Sequence, residues 1–201
     1  MAARIAEQSL RRRGVDYADE VRRLLDAALE VMHRSGTASR ARVADIVATA
    51  GLSNEAFYRH FPSKEALVTA VLEDGADRLR SYLAHQMAKE RTPAGQLRRW
   101  VEGVLAQSDA AVAEATLAVV VNAGAAGAGP LSGRYLVAPL ATLLHEPLAA
   151  AGSAAPELDA SFVAHAVVGR LTDHLRQRTQ PTPAEVDHVV ALCAGALGTP
   201  P

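Results

Sequence analysis

Asn54, Glu55, Tyr58, Arg59 and His60 crowd into one short segment, and Lys64 follows within a helical turn of it. An amide, a carboxylate, a phenol, a guanidinium, an imidazole and an ammonium are groups that hydrogen-bond to phosphate oxygens and to the edges of bases. Such groups become useful only on one face of a rigid element. Phe57 and Phe61 are one helical turn apart and anchor that element to a core, which leaves the polar residues on its other faces. Before it stands Gly51, suited to the left-handed position that ends a helix, and then Ser53, whose hydroxyl can accept from the free N–H groups that open the next one. The pattern predicts a sharp turn between two short helices.

The flanking elements follow from periodicity. Val21, Leu24, Leu25, Ala28, Leu29 and Met32 trace one face of a helix from about Asp16 to Arg34, ending at Ser35-Gly36. A short second helix carries Val43, Ile46 and Val47 inward. Ser39 is its expected N-cap, with Thr37 as the competitor, and Arg40 and Arg42 near its positive end would hold a phosphate together with the backbone. Ser63 caps a longer helix whose stripe of Leu67, Val68, Val71, Leu72, Leu79, Leu83 and Met87 runs towards Arg91. Beyond Thr92-Pro93 the chain is rich in alanine and lacks strand signals. Helices are expected at about Ala94–Gln107, Asp109–Asn122, Leu131–Ala151 (with kinks at Pro139 and Pro147), Pro156–Arg178 and Thr182–Leu197. The fold class is therefore all-α.

The segment from Ala50 to Leu67 resembles the DNA-binding signature of the TetR family of bacterial transcriptional regulators, A-G-V/L-S-x-x-x-L/F-Y-x-H/Y-F-x-S/T-K-E-x-L. Ala50-Gly51-Leu52-Ser53, Phe57-Tyr58-Arg59-His60-Phe61 and Ser63-Lys64-Glu65-Ala66-Leu67 fit it without a gap. The likeness extends back through Val43-Ala44-Asp45-Ile46-Val47 and the first helix, covering about the first third of the chain. It implies a three-helix DNA-binding domain at residues 1–62 and a helical effector-binding and dimerisation domain at residues 63–201. By the same resemblance Tyr58 and Lys64 contact phosphate, while Asn54, Glu55, Ala56 and Arg59 face the major groove. Ser39, Arg40, Arg42, Ser53 and His60 complete the expected contact set. Arg59 is the candidate for guanine, because its guanidinium can bond O6 and N7 together. Two departures matter. Asn54-Glu55-Ala56 replaces the common Lys-Gly-Thr type of triplet, and the linker from Gly36 to Val43 is one residue longer than usual, so no relative's operator can be transferred.

Composition agrees with this reading. The 201 residues are 49% hydrophobic and 21% charged, enough to bury a core in one or two units. Eleven basic residues face eight acidic ones up to Lys64, against ten and fourteen in the rest, so a net charge of −1 conceals a basic N-terminal part. Arg11-Arg12-Arg13 is read as a solvated run within a flexible arm at residues 1–15, in preference to a minor-groove arm. No export signal and no apolar run of membrane-spanning length is apparent, and one cysteine fits a reducing cytoplasm.

The other candidates are weaker. Gly124 to Pro130 matches no nucleotide-binding fingerprint. His145, His165, His174 and His188 lack metal-ligand spacing, and no nucleophile, base and orienting group stand at recognisable intervals, so neither a metal, a cofactor nor catalysis is expected. Trp100, Gln107, Asn122, Tyr135, Phe162 and His165 are the rare polar or aromatic residues that would orient an apolar or amphipathic effector. The resemblance implies that the last two helices pair with their copies in a homodimer. The residues expected there are Val163, Val167, Leu171 and Leu175 on one helix and Val186, Val189, Val190, Cys193 and Leu197 on the other, although periodicity does not separate a dimer face from an internal one. The expected function is repression from a palindromic operator in double-stranded DNA, relieved by a small molecule. An activator, a ligand-insensitive regulator, a helical enzyme and an interaction protein without DNA binding are the competing readings.

Overall fold

The computed structural model describes residues 2–36, 40–125 and 136–195. Among these, ten α-helices form two adjoining cores. Helix α1 (Ala2–Ser35) begins well before the expected Asp16, so the segment taken for a flexible arm is helical. Ala2 to Arg13 contains good helix formers and no proline, and the single Gly14 costs only about 1 kcal/mol. Helix α2 (Val43–Ala50) starts later than a Ser39 cap would place it. Arg42 occupies the N-cap without a capping side-chain bond, and its guanidinium pairs instead with Asp45 at 3.0 Å. Ser39 and Thr37 lie outside the described residues. Helix α3 (Asn54–His60) and helix α4 (Lys64–Met87) follow.

Leu24, Ala28 and Met32 of α1, Ile46 of α2, Phe57 of α3 and Leu67 and Val68 of α4 are fully buried together. Ala118 and Val119 of α6 (Ala110–Ala125) close the same cluster, so the helix-turn-helix unit shares its core with the rest of the chain.

The second core surrounds Trp100 of α5 (Pro93–Leu105), a helix opened by Thr92, whose hydroxyl accepts from Gly95 N–H at 3.1 Å, and by Pro93 in its first turn. The Trp100 indole N–H donates to Leu140 O at 3.0 Å. A Cβ on Gly103 would sit 2.4 Å from Leu83 Cδ2, so any larger residue there would force the fully buried Leu83 side chain to shift. The expected helix Leu131–Ala151 is instead α7 (Val137–Ala141) and α8 (His145–Ala150), separated by the 3₁₀ turn Thr142–Leu144. Pro139 and Pro147 each stand in the first turn of one of these helices, where the missing N–H costs nothing. Residues 131–135 lie outside the described set.

Helices α9 (Pro156–Gln177) and α10 (Pro183–Gly195), which carry the expected dimer stripes, complete the fold. Val163, Val167, Leu171, Leu175 and Cys193 are buried inside the chain's own core, with Val186, Val189 and Val190 packed against it. Leu197 lies outside the described residues. A stripe reports only that a helix buries one face; these faces dock on α5 and α7. Burial raises the Cys193 thiol pKa, in keeping with an inert core cysteine. Among the described residues no single helix is long and apolar enough to cross a membrane.

A polar tie joins α9 to α10. The Glu185 carboxylate accepts from the Arg170 guanidinium and from His174 Nε2–H at 3.1 Å, while Nδ1 of that buried imidazole accepts from the Thr179 hydroxyl at 2.8 Å. Arg170 first, and His174 after it, hold the Glu185 carboxyl below its ordinary value of 4.5. Because the folded-state pKa is depressed, the stabilisation is complete above that ordinary value and is lost as pH falls through the folded one. Glu185→Gln is therefore expected to melt below the wild type at neutral pH, with the gap closing under acid conditions. Thermal unfolding of both proteins across pH checks this; a gap that persists in acid contradicts it.

Candidate nucleic-acid interface

The turn between α2 and α3 forms as its residue types demand. Gly51 adopts φ +63°, and Leu52 N–H reaches back to Val47 O at 2.9 Å. Ser53 Oγ accepts from Ala56 N–H at 3.1 Å and so caps α3. From α1, Arg23 Nε donates to Ala50 O at 3.1 Å, placing a cation on the carbonyl end of α2. That guanidinium also bonds Gly51 O. A tight turn with satisfied ends fixes the angle between the two helices.

Helix α3 then divides cleanly. Asn54, Glu55, Tyr58 and Arg59 are exposed on one side, whereas Ala56 and Phe57 are buried on the other. Tyr58 keeps 59% of its surface while its ring edge rests on Phe57, which holds the phenol outward. Two expected contacts are corrected. Ala56 faces the core, and the His60 side chain is fully buried. Positions 56 and 60 are one turn apart and share the inward face with 57 and 61. His60 Nε2–H donates to Glu20 Oε2 of α1 at 2.6 Å, and the Tyr17 ring packs edge-on with centroids 4.3 Å apart. The same carboxylate oxygen accepts from Arg59 at 3.4 Å. The His60 hydrogen bond first, then the charge of Arg59, lowers the Glu20 pKa.

Arg40 and Arg42 are exposed ahead of α2, and Lys64 is half-exposed at the start of α4, which Ser63 caps by accepting from Ala66 N–H at 3.2 Å. The arrangement is a polar, mostly cationic surface built on two short helices that α1 and α4 hold from behind. Arg23 and Glu20, which do the holding, escaped the sequence reading. On an amphipathic helix they look like ordinary solvated charges, and their partners lie 27 and 40 residues away.

The residues expected to bind an effector are dispersed. Trp100 spends its N–H on Leu140 O. Asn122 is buried with both amide atoms engaged: Oδ1 accepts from Ala41 N–H at 3.2 Å and Nδ2–H donates to Ala118 O at 2.9 Å. Phe162 and His165 are exposed on α9, and Tyr135 lies outside the described residues. Of these residues, only Gln107 lines a described cavity, one of about 190 Å³ shared with Leu29 of α1, Val71 of α4, Thr116 and Val120 of α6 and Leu171 of α9. Among the described residues no three His, Cys, Asp or Glu side chains are grouped to hold a metal.

A capped helix-turn-helix with an exposed polar reading face, built into an all-helical chain, defines the class of helix-turn-helix transcriptional regulators. Residues 24–71 match the family described as bacterial regulatory proteins, tetR family. The solved structure of RolR in complex with resorcinol superposes with a TM-score of 0.66 at 17% identity, over 92% of this chain and 91% of that one. The fatty acid degradation regulator FadR from Bacillus halodurans gives 0.61 at 21%, over 90% and 97%. A TetR transcriptional regulator from Rhodococcus sp. RHA1 gives 0.53 at 18%, over 90% and 96%. At these identities the likeness is one of fold. No curated protein matches the chain.

Proposed function

We propose that the protein is a homodimeric repressor that reads a palindromic operator with α3 and releases it when a small molecule enters the cavity beside α6. The observation that carries the reading is the exposed row Asn54, Glu55, Tyr58 and Arg59 on a helix whose opposite side is locked by Phe57. Two such helices about 34–36 Å apart would enter successive major grooves. Tyr58, Lys64, Arg40 and Arg42 serve phosphates, and Arg59 serves a base. For the dimer, the most exposed apolar residues of the last two helices are Leu158 and Phe162 of α9 and Leu192 of α10, each more than half exposed.

Release is supported by a physical link. Helix α6 lines the cavity through Thr116 and Val120 and holds the backbone just before α2 through Asn122. A ligand that prefers one position of α6 therefore biases the position of the reading head, by no more than its differential affinity for the two states. The lining is apolar apart from Gln107 and Thr116, and a Cβ on Gly75 would meet open space, so the site suits a compact apolar molecule with one or two hydrogen-bonding groups. The resorcinol held by RolR and the fatty acid degradation named for FadR are compatible chemistries in proteins of this fold.

The test is selection of random duplexes by the purified protein at moderate salt, followed by sequencing. An enriched palindrome is expected. Enrichment of a single half-site, or none, overturns the dimeric reading. On the selected sequence Arg59→Ala is expected to lose about 1–3 kcal/mol and to relax one position, whereas Lys64→Ala weakens all duplexes alike and reduces the salt slope by about one. Equal losses of specificity in both variants contradict this division of roles.

A further inference from the structure

Glu20 lies on α1, outside the expected contact set, yet one of its oxygens serves two neighbouring residues of α3. The two bonds differ in kind. The one from His60 is 2.6 Å long and made to a side chain with no exposed surface. The other, from Arg59, spans 3.4 Å and joins a guanidinium that is 54% exposed. A short bond to a buried group is held firmly. A long one to an exposed group is weak and easily exchanged. The remaining His60 ring nitrogen, Nδ1, is buried without a partner, so the imidazole's only polar attachment among the described residues is Glu20. Arg23, the other cation facing this carboxylate, is engaged by Ala50 O and Gly51 O. Glu20 therefore cannot leave without orphaning His60, but Arg59 can leave Glu20.

From this geometry we infer that Glu20 is a positioning residue for DNA reading: anchored through His60, it fixes the end of α3 and holds Arg59 as an exchangeable partner that is given up only to a better acceptor. This rests on the proposal that Arg59 faces the groove. A guanine offers O6 and N7 together in the plane of the guanidinium, which outcompetes one long contact. A phosphate can also pair with a guanidinium through two bonds, but it carries a negative charge that the fixed carboxylate of Glu20 beside the path repels, whereas the neutral guanine edge is not repelled. The consequence is selective: Glu20 lowers affinity for arbitrary duplex more than for the operator, and so widens the ratio between them.

The experiment uses the full chain as wild type, Glu20→Gln, Arg59→Ala and the double variant, each bound to the selected operator and to an unrelated duplex over a range of salt. Glu20→Gln keeps an oxygen for His60 Nε2–H and removes only the charge. It is expected to raise affinity for the unrelated duplex roughly two- to fivefold, with less change on the operator, and to do nothing in the Arg59→Ala background. Equal gains on both duplexes, or a gain that survives in the absence of Arg59, overturn the exchange and leave Glu20 as a bulk charge. Absence of any gain overturns it as well. The anchor is read without DNA: Glu20→Ala melts several degrees below Glu20→Gln, which melts near the wild type, and coincident melting of the two variants overturns the anchoring role. A wild type that retains neither duplex at any salt overturns the DNA reading and the exchange together, while the melting comparison still judges the hold on His60.

Discussion

Phe57→Ala is expected to cost about 3–5 kcal/mol and to abolish retention of duplex DNA under conditions where most of the chain remains folded. Phe57 is fully buried, and its ring lies 6.0 Å from that of Phe61 and 5.1 Å from that of Tyr58. Helix α3 has seven residues, too few to persist alone in water, so its direction is set by what its inward face grips. Removing the ring deletes the largest inward side chain of α3 and leaves a void among Leu24, Ile46 and Leu67 that a packed core closes only in part. Two measurements check the result: chemical denaturation followed by circular dichroism, and retention on generic duplex at low salt. A loss below about 1 kcal/mol would place Phe57 at the margin of the core. Undiminished DNA retention would mean that the reading surface does not depend on α3.

Trp100→Ala carries the second large effect, again about 3–5 kcal/mol from lost burial and residual cavity. Trp100 is the largest fully buried side chain, and its N–H is given to Leu140 O, tying α5 to α7. Trp100→Phe separates the two contributions. It keeps much of the apolar volume but leaves a carbonyl without its donor, at a cost of about 1–3 kcal/mol. The sequence has a single tryptophan, so emission from the wild type reports on this one site, and a buried indole should fluoresce at short wavelength until unfolding exposes it. If Trp100 instead served an effector, truncation would spare stability and abolish ligand-induced release of DNA.

Most of the fold was legible because its signals are local. Gly51, Ser53 and Ser63 act on backbone groups within a few positions of themselves, and helical periodicity sorted Phe57 and Phe61 from Tyr58 and Arg59. Where local signals were absent, boundaries slipped. The start of α1 has no cap or breaker to mark it, the start of α2 lacks a capping side chain, and the region of Pro139 and Pro147 forms two helices. Ala56 and His60 fit the surface by residue type, but their register, one turn apart on the side of Phe57, places them inside.

The sequence alone determined the all-helical class, the reading head with its exposed polar row, and the basic character of the N-terminal part, since each depends on residue types at spacings of one helical turn or less. Only the tertiary structure decided that Glu20 holds His60, that Arg23 closes the end of α2, that Asn122 joins α6 to the backbone before α2, and that the apolar stripe of α9 packs inside the chain. These pairings span tens of residues. A charge or an apolar stripe looks the same in sequence whether it meets water, a partner or its own core, and packing decides which.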